Sequence, residues 1–187
     1  MQVLIDSPDS LLASLTSGNE PGRLVIVTSP SGSGKTRWCL ALADHASGLG
    51  ISVGGLVSPA VFEDDRKVGI DLRDLCSGAQ RRLAVRREGS GNDRVTEDWQ
   101  FDEETLEWGN DILAQPSACQ LFLLDELGPL EFERGVSLTN GLELVTSRRY
   151  PLACVVVRPS LLDMAQALWP WGEVFYIPFP DPSGVAT

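Results

Sequence analysis

Eight consecutive residues carry the densest chemistry in this chain: Ser29-Pro30-Ser31-Gly32-Ser33-Gly34-Lys35-Thr36. They follow the apolar run Leu24-Val25-Ile26-Val27-Thr28 and lead into a helical pattern from Arg37 onward. A turn without large side chains lets successive backbone N–H groups converge on an anion. The helix behind it adds unpaired N–H groups and the positive end of its dipole. Lys35 is expected to reach the outer phosphates of a polyphosphate, and the Thr36 hydroxyl to hold Mg²⁺. Residues Ser29 to Thr36, with Arg37 just behind them, form the expected nucleotide-binding segment. Ser29 stands where such loops carry a first glycine, and serine is less free at positive φ.

The second half of the chemistry is Leu121-Phe122-Leu123-Leu124-Asp125-Glu126, an apolar strand ending in two carboxylates. In open α/β sheets, ligands bind beyond the carboxyl ends of the strands. Asp125 is therefore expected to share a crevice with Thr36 and to hold Mg²⁺ through its water shell. Glu126 is placed to orient or deprotonate an attacking water. A fixed base favours hydrolysis over transfer to an acceptor hydroxyl. Developing charge on a transferred phosphoryl group profits from a cation. Arg158, directly after the apolar run 152–157, is the candidate, with a surface arginine held by Pro159 as the equal alternative. Arg37 is the second candidate, although the first helical turn aims it elsewhere.

The remaining elements are those needed to position these groups. Residues 1–22 read as an N-terminal appendage with a short helix through Leu11, Leu12 and Leu15. Residues 23–187 read as one domain. Strands are expected over 23–28, 51–57, 121–124, 152–157 and 174–177. Helices are expected after the glycine-rich turn, from an Asp102 cap to Pro116, through Leu138, Leu142 and Val145, and over 159–168. Between them, about 60–101 alternates as an antiparallel excursion, with a polar loop over 88–98. Strands alternating with helices give an α/β fold of three layers around a mostly parallel sheet.

Composition excludes several classes. Fifteen basic against 26 acidic residues, net −11, repel a phosphate backbone and argue against a general nucleic-acid binder. Arg81-Arg82 and Arg86-Arg87 read as a solvated hairpin face. Cys39, Cys76, Cys119 and Cys154 have no metal or redox spacing, and all but Cys76 read as small core hydrophobes. No run approaches a membrane span, and a cytoplasmic location is the default. The lone His45 receives no role. Trp169-Pro170-Trp171 reads as the edge of a core, with an exposed protein-partner patch as the alternative.

Three blocks resemble the thermophile-type nucleoside-triphosphatases and their cancer-related NTPase relatives. They are Ser29 to Thr36; Gly55-Leu56-Val57-Ser58 leading to Arg66-Lys67-Val68-Gly69-Ile70-Asp71-Leu72; and Leu124-Asp125-Glu126-Leu127-Gly128-Pro129-Leu130-Glu131-Phe132. The resemblance covers about residues 23–178, and Gly-Pro-x-Glu after the two carboxylates is its most specific part. It implies a RecA-like P-loop fold with Walker A and Walker B elements. It also implies Mg²⁺-dependent hydrolysis of ATP, GTP and other nucleoside 5′-triphosphates with little base selectivity. By position, Lys35, Thr36, Asp125 and Glu126 take the roles above, and Asp71 or Arg73 of the hairpin is expected to face the nucleotide. Departures are Ser29, Ser58-Pro59, Val157-Arg158-Pro159 and the proline-rich tail after Ile177. Behind hydrolysis rank a nucleotide-gated switch that resets by slow turnover beside a partner protein, and then a nucleotide or small-molecule kinase.

Overall fold

In the computed structural model, residues 8–13, 15, 22–87, 99–115 and 117–177 are described. The expected 88–98 loop, the Pro116 helix stop and the tail beyond Ile177 lie outside them. Nine strands form one sheet in the order β6-β5-β4-β2-β7-β8-β1-β9, with β3 paired to β4. They are β1 (Arg23–Thr28), β2 (Val53–Val57), β3 (Ala60–Glu63), β4 (Arg66–Asp74), β5 (Gln80–Arg86), β6 (Trp99–Phe101), β7 (Leu121–Leu127), β8 (Leu152–Val157) and β9 (Glu173–Tyr176). The run β2-β7-β8-β1-β9 is parallel throughout. From β2 outward, β4, β3, β5 and β6 pair antiparallel. The excursion expected over about 60–101 is thus an extension of the same sheet. It gains β6, whose three residues are too short to show alternation in sequence.

Helices cover both faces. On one side lies α2 (Lys35–Gly48), whose Cys39, Leu42, Ala43 and Ala46 pack on Val25, Val27, Val57, Leu121, Leu123 and Val156. On the other lie α3 (Glu103–Ala114), α5 (Thr139–Thr146) and α6 (Leu162–Leu168), over Ile26, Leu56, Leu72, Leu124 and Val155. The short helix α4 (Pro129–Phe132) follows β7, and a single 3₁₀ turn, Pro159–Leu161, follows β8. Buried strands with both faces covered need unbroken apolar runs, and β8 is buried at every position. The result is the three-layer α/β arrangement expected.

The segment read as an appendage contributes to the core. Helix α1 (Pro8–Ala13) seats Leu11 and Leu12 among the residues beneath α2, at 1% and 2% exposure. Each buried leucine contributes about 1.5–3 kcal/mol. Trp169 is fully buried, stacks edge-on to Phe132 and donates its Nε1–H to Thr146 Oγ1 at 2.9 Å, so the Trp-Pro-Trp stretch closes a core edge. Arg81 is more than a solvated charge, since its guanidinium lies over the Trp108 ring at 4.6 Å.

All four cysteines are free, and only Cys76 is exposed. Burial raises the thiols of Cys39, Cys119 and Cys154, the last two to about 11 and about 12. Each holds its proton to higher pH in the fold than in the unfolded chain. The stability they contribute is therefore present below about pH 9 and is lost as pH rises toward their folded values. At pH 8 a thiol reagent is expected to label Cys76 first, and Cys39 and Cys154 only on unfolding. Fast labelling of either buried thiol in the native protein contradicts this packing.

Candidate active site

The turn between β1 and α2 has the conformation its composition demands. Gly34 sits at φ 89° and ψ 21°, a left-handed cap costly for any residue with a Cβ. A Cβ at Gly32 or Gly34 would meet no atom within 4 Å, and both glycines are exposed. Helix α2 has no side-chain cap and no acidic residue in its first turn. Helix α3, by contrast, is closed by Asp102 Oδ1, which accepts from the Thr105 N–H at 2.8 Å, with Glu103 and Glu104 beside it. The N-terminus of α2 has no such cap, and uncapped N–H groups at a helix start suit an anion.

Ser29 removes the apparent conflict with the glycine pattern. Its φ is not positive, so no glycine is needed there. Its hydroxyl donates to Ile177 O at 2.9 Å and ties the start of the loop to the end of β9. Pro30 and Ser31 are exposed, and the Ser33 N–H closes back on Pro30 O at 3.3 Å. The hydroxyls of Thr28 and Ser33 are buried without a hydrogen-bond partner, which marks the loop as short of acceptors. Lys35 is buried, its ammonium donating to Ser29 O and Pro30 O at 2.9 and 3.0 Å. Phosphate oxygens are stronger acceptors for an ammonium than carbonyls, so Lys35 is held at the loop ready to exchange partners. Thr36 is half-buried in the first turn of α2, and Arg37 is exposed.

Asp125 is 1% exposed. Leu123 lies on the α2 face and Leu124 on the other, so alternation returns Asp125 to the α2 face. Its charge, after burial, helps to raise the Cys39 thiol, and Cys39 lies one helical turn beyond Thr36. Asp125 is thus on the α2 side of the sheet, within electrostatic range of Cys39. The end of β2 holds Asp125 in place. The Ser58 N–H donates to Asp125 Oδ2 at 3.3 Å and the Ser58 hydroxyl to Asp125 O at 2.8 Å. This clamp is invisible in sequence, where Ser58 reads only as a departure.

Strand β7 runs on through Leu127, so both carboxylates lie within it rather than beyond it. Its register against β8 slips between Leu124 and Leu127, three residues of β7 spanning two of β8. Such bulges re-aim side chains and are common beside active sites. The backbone of Glu126 is at this bulge; its side chain lies outside the described residues. Beyond it, Glu131 is buried and accepts from the Gly128 N–H at 2.8 Å and the Leu138 N–H at 3.2 Å. Gly-Pro-x-Glu thus fixes the chain's exit from the two carboxylates.

Arg158 follows β8, which runs between β1 and β7. It is half-buried at the same sheet edge as the loop and Asp125. Asp71 belongs to another set: it accepts from Gln80 Nε2 at 2.7 Å and pairs with Arg82 at 2.5 Å on the exposed rim of the extension. Among the described residues no group of three or more His, Cys, Asp or Glu is arranged to hold a metal. A cation here fits Asp125, the Thr36 hydroxyl and phosphate oxygens, the sparse oxygen set that suits hydrated Mg²⁺. No helix among the described residues is long and apolar enough to cross a membrane.

Comparisons with known proteins give the family and the fold. A family model described as NTPase matches residues 24–177. The chain is 31% identical over 150 residues to the nucleoside-triphosphatase THEP1 of Thermofilum pendens, covering 80% of this chain and 82% of the relative. It is 30% identical over 109 residues to THEP1 of Methanopyrus kandleri, covering 58% of this chain and 59% of that relative's length. Among solved structures, a human cancer-related nucleoside triphosphatase superposes with a TM-score of 0.61 at 21% identity, covering 84% of this chain and 89% of the other. THEP1 from Aquifex aeolicus gives 0.51 at 14% identity, covering 87% and 93%. The two structures share the fold.

Proposed function

We propose, on the premise that this chain belongs to the NTPase family, that it hydrolyses nucleoside 5′-triphosphates to the diphosphate and inorganic phosphate. Mg²⁺ is its cofactor. The observation that carries this reading is the buried Asp125 on the α2 side of the sheet, together with the glycine-rich loop that leads into the uncapped start of α2.

Residues Ser29 to Thr36 and Arg37 enclose the phosphates, with Lys35 turning from its carbonyl partners to the outer two. Thr36 and Asp125 would hold the cation. When bound, Mg²⁺ neutralises charge on the outer phosphate oxygens. Glu126 takes a proton from the attacking water as its oxygen bonds to the γ-phosphorus and the bond to the β-phosphate's bridging oxygen breaks. Arg158 offers its guanidinium to the γ-phosphate. Use of several triphosphates is part of this reading. Four free cysteines and the acidic composition suit a cytoplasmic protein without nucleic-acid affinity.

Asp125→Asn tests the metal role. It is expected to raise the Mg²⁺ concentration needed for half-maximal hydrolysis by about 10–100-fold, the usual loss when a carboxylate acting beyond the metal's first ligands is removed. Nucleotide affinity measured without metal should persist. An unchanged Mg²⁺ requirement would remove Asp125 from the site.

A further inference from the structure

The row of side chains containing Asp125 continues across the sheet to a cation. Strand register pairs Leu56 with Leu124, which sets Val57 beside Asp125, and the Ser58 clamp fixes that level. On its other side Val57 is paired with Arg73 of β4. Val57 packs beneath α2, whereas Leu72 packs on the opposite face. Cross-strand partners share a face, so Arg73, Val57 and Asp125 stand in one line on the phosphate-loop side. Two strand spacings separate the backbones of Arg73 and Asp125, about 10 Å. A fully extended arginine covers much of that gap.

Arg73 also differs from the charges around it. Arg82 is bound to Asp71, Arg81 covers Trp108, Lys67 lies 5.0 Å from the centre of the Trp99 ring, and Arg23 pairs with Glu173 at 2.7 Å. Arg73 is half-buried and has no hydrogen bond, ion pair or ring contact among the described residues. In a chain with 26 acidic residues against 15 basic ones, a half-buried arginine whose side chain has no partner among the described residues is unusual. Desolvating a charge is costly without a partner. An arriving anion would satisfy it.

We propose that Arg73 is a second catalytic cation, delivered in cis from β4 to the γ-phosphate. The inference rests on the hydrolytic reading above and deepens it. Lys35 and Arg158 approach from β1 and β8, and Arg73 from beyond β7, so the phosphoryl group is flanked on both sides of Asp125. As water adds and the bond to the diphosphate breaks, charge spreads over the equatorial and leaving oxygens. A planar guanidinium fork matches two of them at once. Asp71, the other hairpin residue, is an anion taken up by Arg82 and Gln80.

The test compares wild type, Arg73→Ala and Arg73→Lys for phosphate release and for affinity toward a non-hydrolysable triphosphate. Arg73→Ala is expected to lower kcat by about 10²-fold or more, as removal of a transition-state arginine does. Affinity for the analogue should stay within about threefold, because the contact strengthens only as charge develops. Arg73→Lys should recover little, since an ammonium lacks the fork. Added guanidinium ion should restore part of the rate to Arg73→Ala alone, a readout that a packing role would not move. An active wild type matched by Arg73→Ala, or a loss confined to KM without guanidinium rescue, overturns this inference alone. A wild type that releases no phosphate overturns the hydrolytic reading and this one with it.

Discussion

Glu126→Gln is expected to reduce phosphate release by two orders of magnitude or more while nucleotide binding survives. The substitution keeps the shape of the side chain and removes its capacity to accept a proton. General-base catalysis is commonly worth about 10²–10⁴ in rate, and 10² corresponds to about 2.7 kcal/mol of transition-state stabilisation. The expectation comes from position. Glu126 follows the buried Asp125 at the bulge where β7 slips against β8, at the edge of the sheet that carries the phosphate loop. Because the base acts in the chemical step, kcat should fall and the affinity for a triphosphate should hold. A variant hydrolysing within about threefold of wild type would place the base elsewhere.

Gly55→Ala is expected to have the largest effect on stability. Gly55 adopts φ +105° inside β2, a conformation L side chains rarely take. A Cβ there would lie 1.9 Å from Leu123 O and 2.9 Å from Leu123 N. These are backbone atoms of the paired strand, so no rotamer change relieves the clash. Either β2 separates from β7 or the residue leaves its conformation, and both break the central parallel pairing. A cost of about 4 kcal/mol or more is expected, in the exceptional range for one substitution. Against a typical total of about 5–15 kcal/mol, the variant should unfold at far lower urea or express poorly. Its Asp125 clamp would fail too, since Ser58 is delivered by β2. A midpoint of urea unfolding equal to wild type would contradict the conformation of β2.

Much of this arrangement can be read from the chain before it folds. Ser29 to Thr36 and Leu121 to Glu126 are local patterns, each declaring its element and its chemistry within a few residues. Alternation in Val68, Ile70 and Leu72 likewise reveals the antiparallel extension. What escapes the sequence depends on register between distant segments. Leu11 and Leu12 read as part of an appendage because the cluster they join, which includes Leu121 and Val156, is assembled from strands far along the chain. Ser29 looks like a defect until its ordinary φ and its bond to Ile177 O are seen. Ser58 carries no motif that announces a clamp on Asp125, and Gly-Pro-x-Glu marks Glu131 without revealing that it braces the turn at Gly128. Arg73 and Asp71 are equivalent in alternation. Only the pairing of Arg82 with one of them leaves the other available.

The most direct measurement of the central claim is phosphate release by the wild-type chain from ATP, GTP, CTP and UTP, each with Mg²⁺ and with excess EDTA. Release from several triphosphates that stops when the metal is chelated is the predicted result. Binding of the same nucleotides without release of phosphate from any of them would contradict it, and would make the chain a nucleotide-gated binding protein.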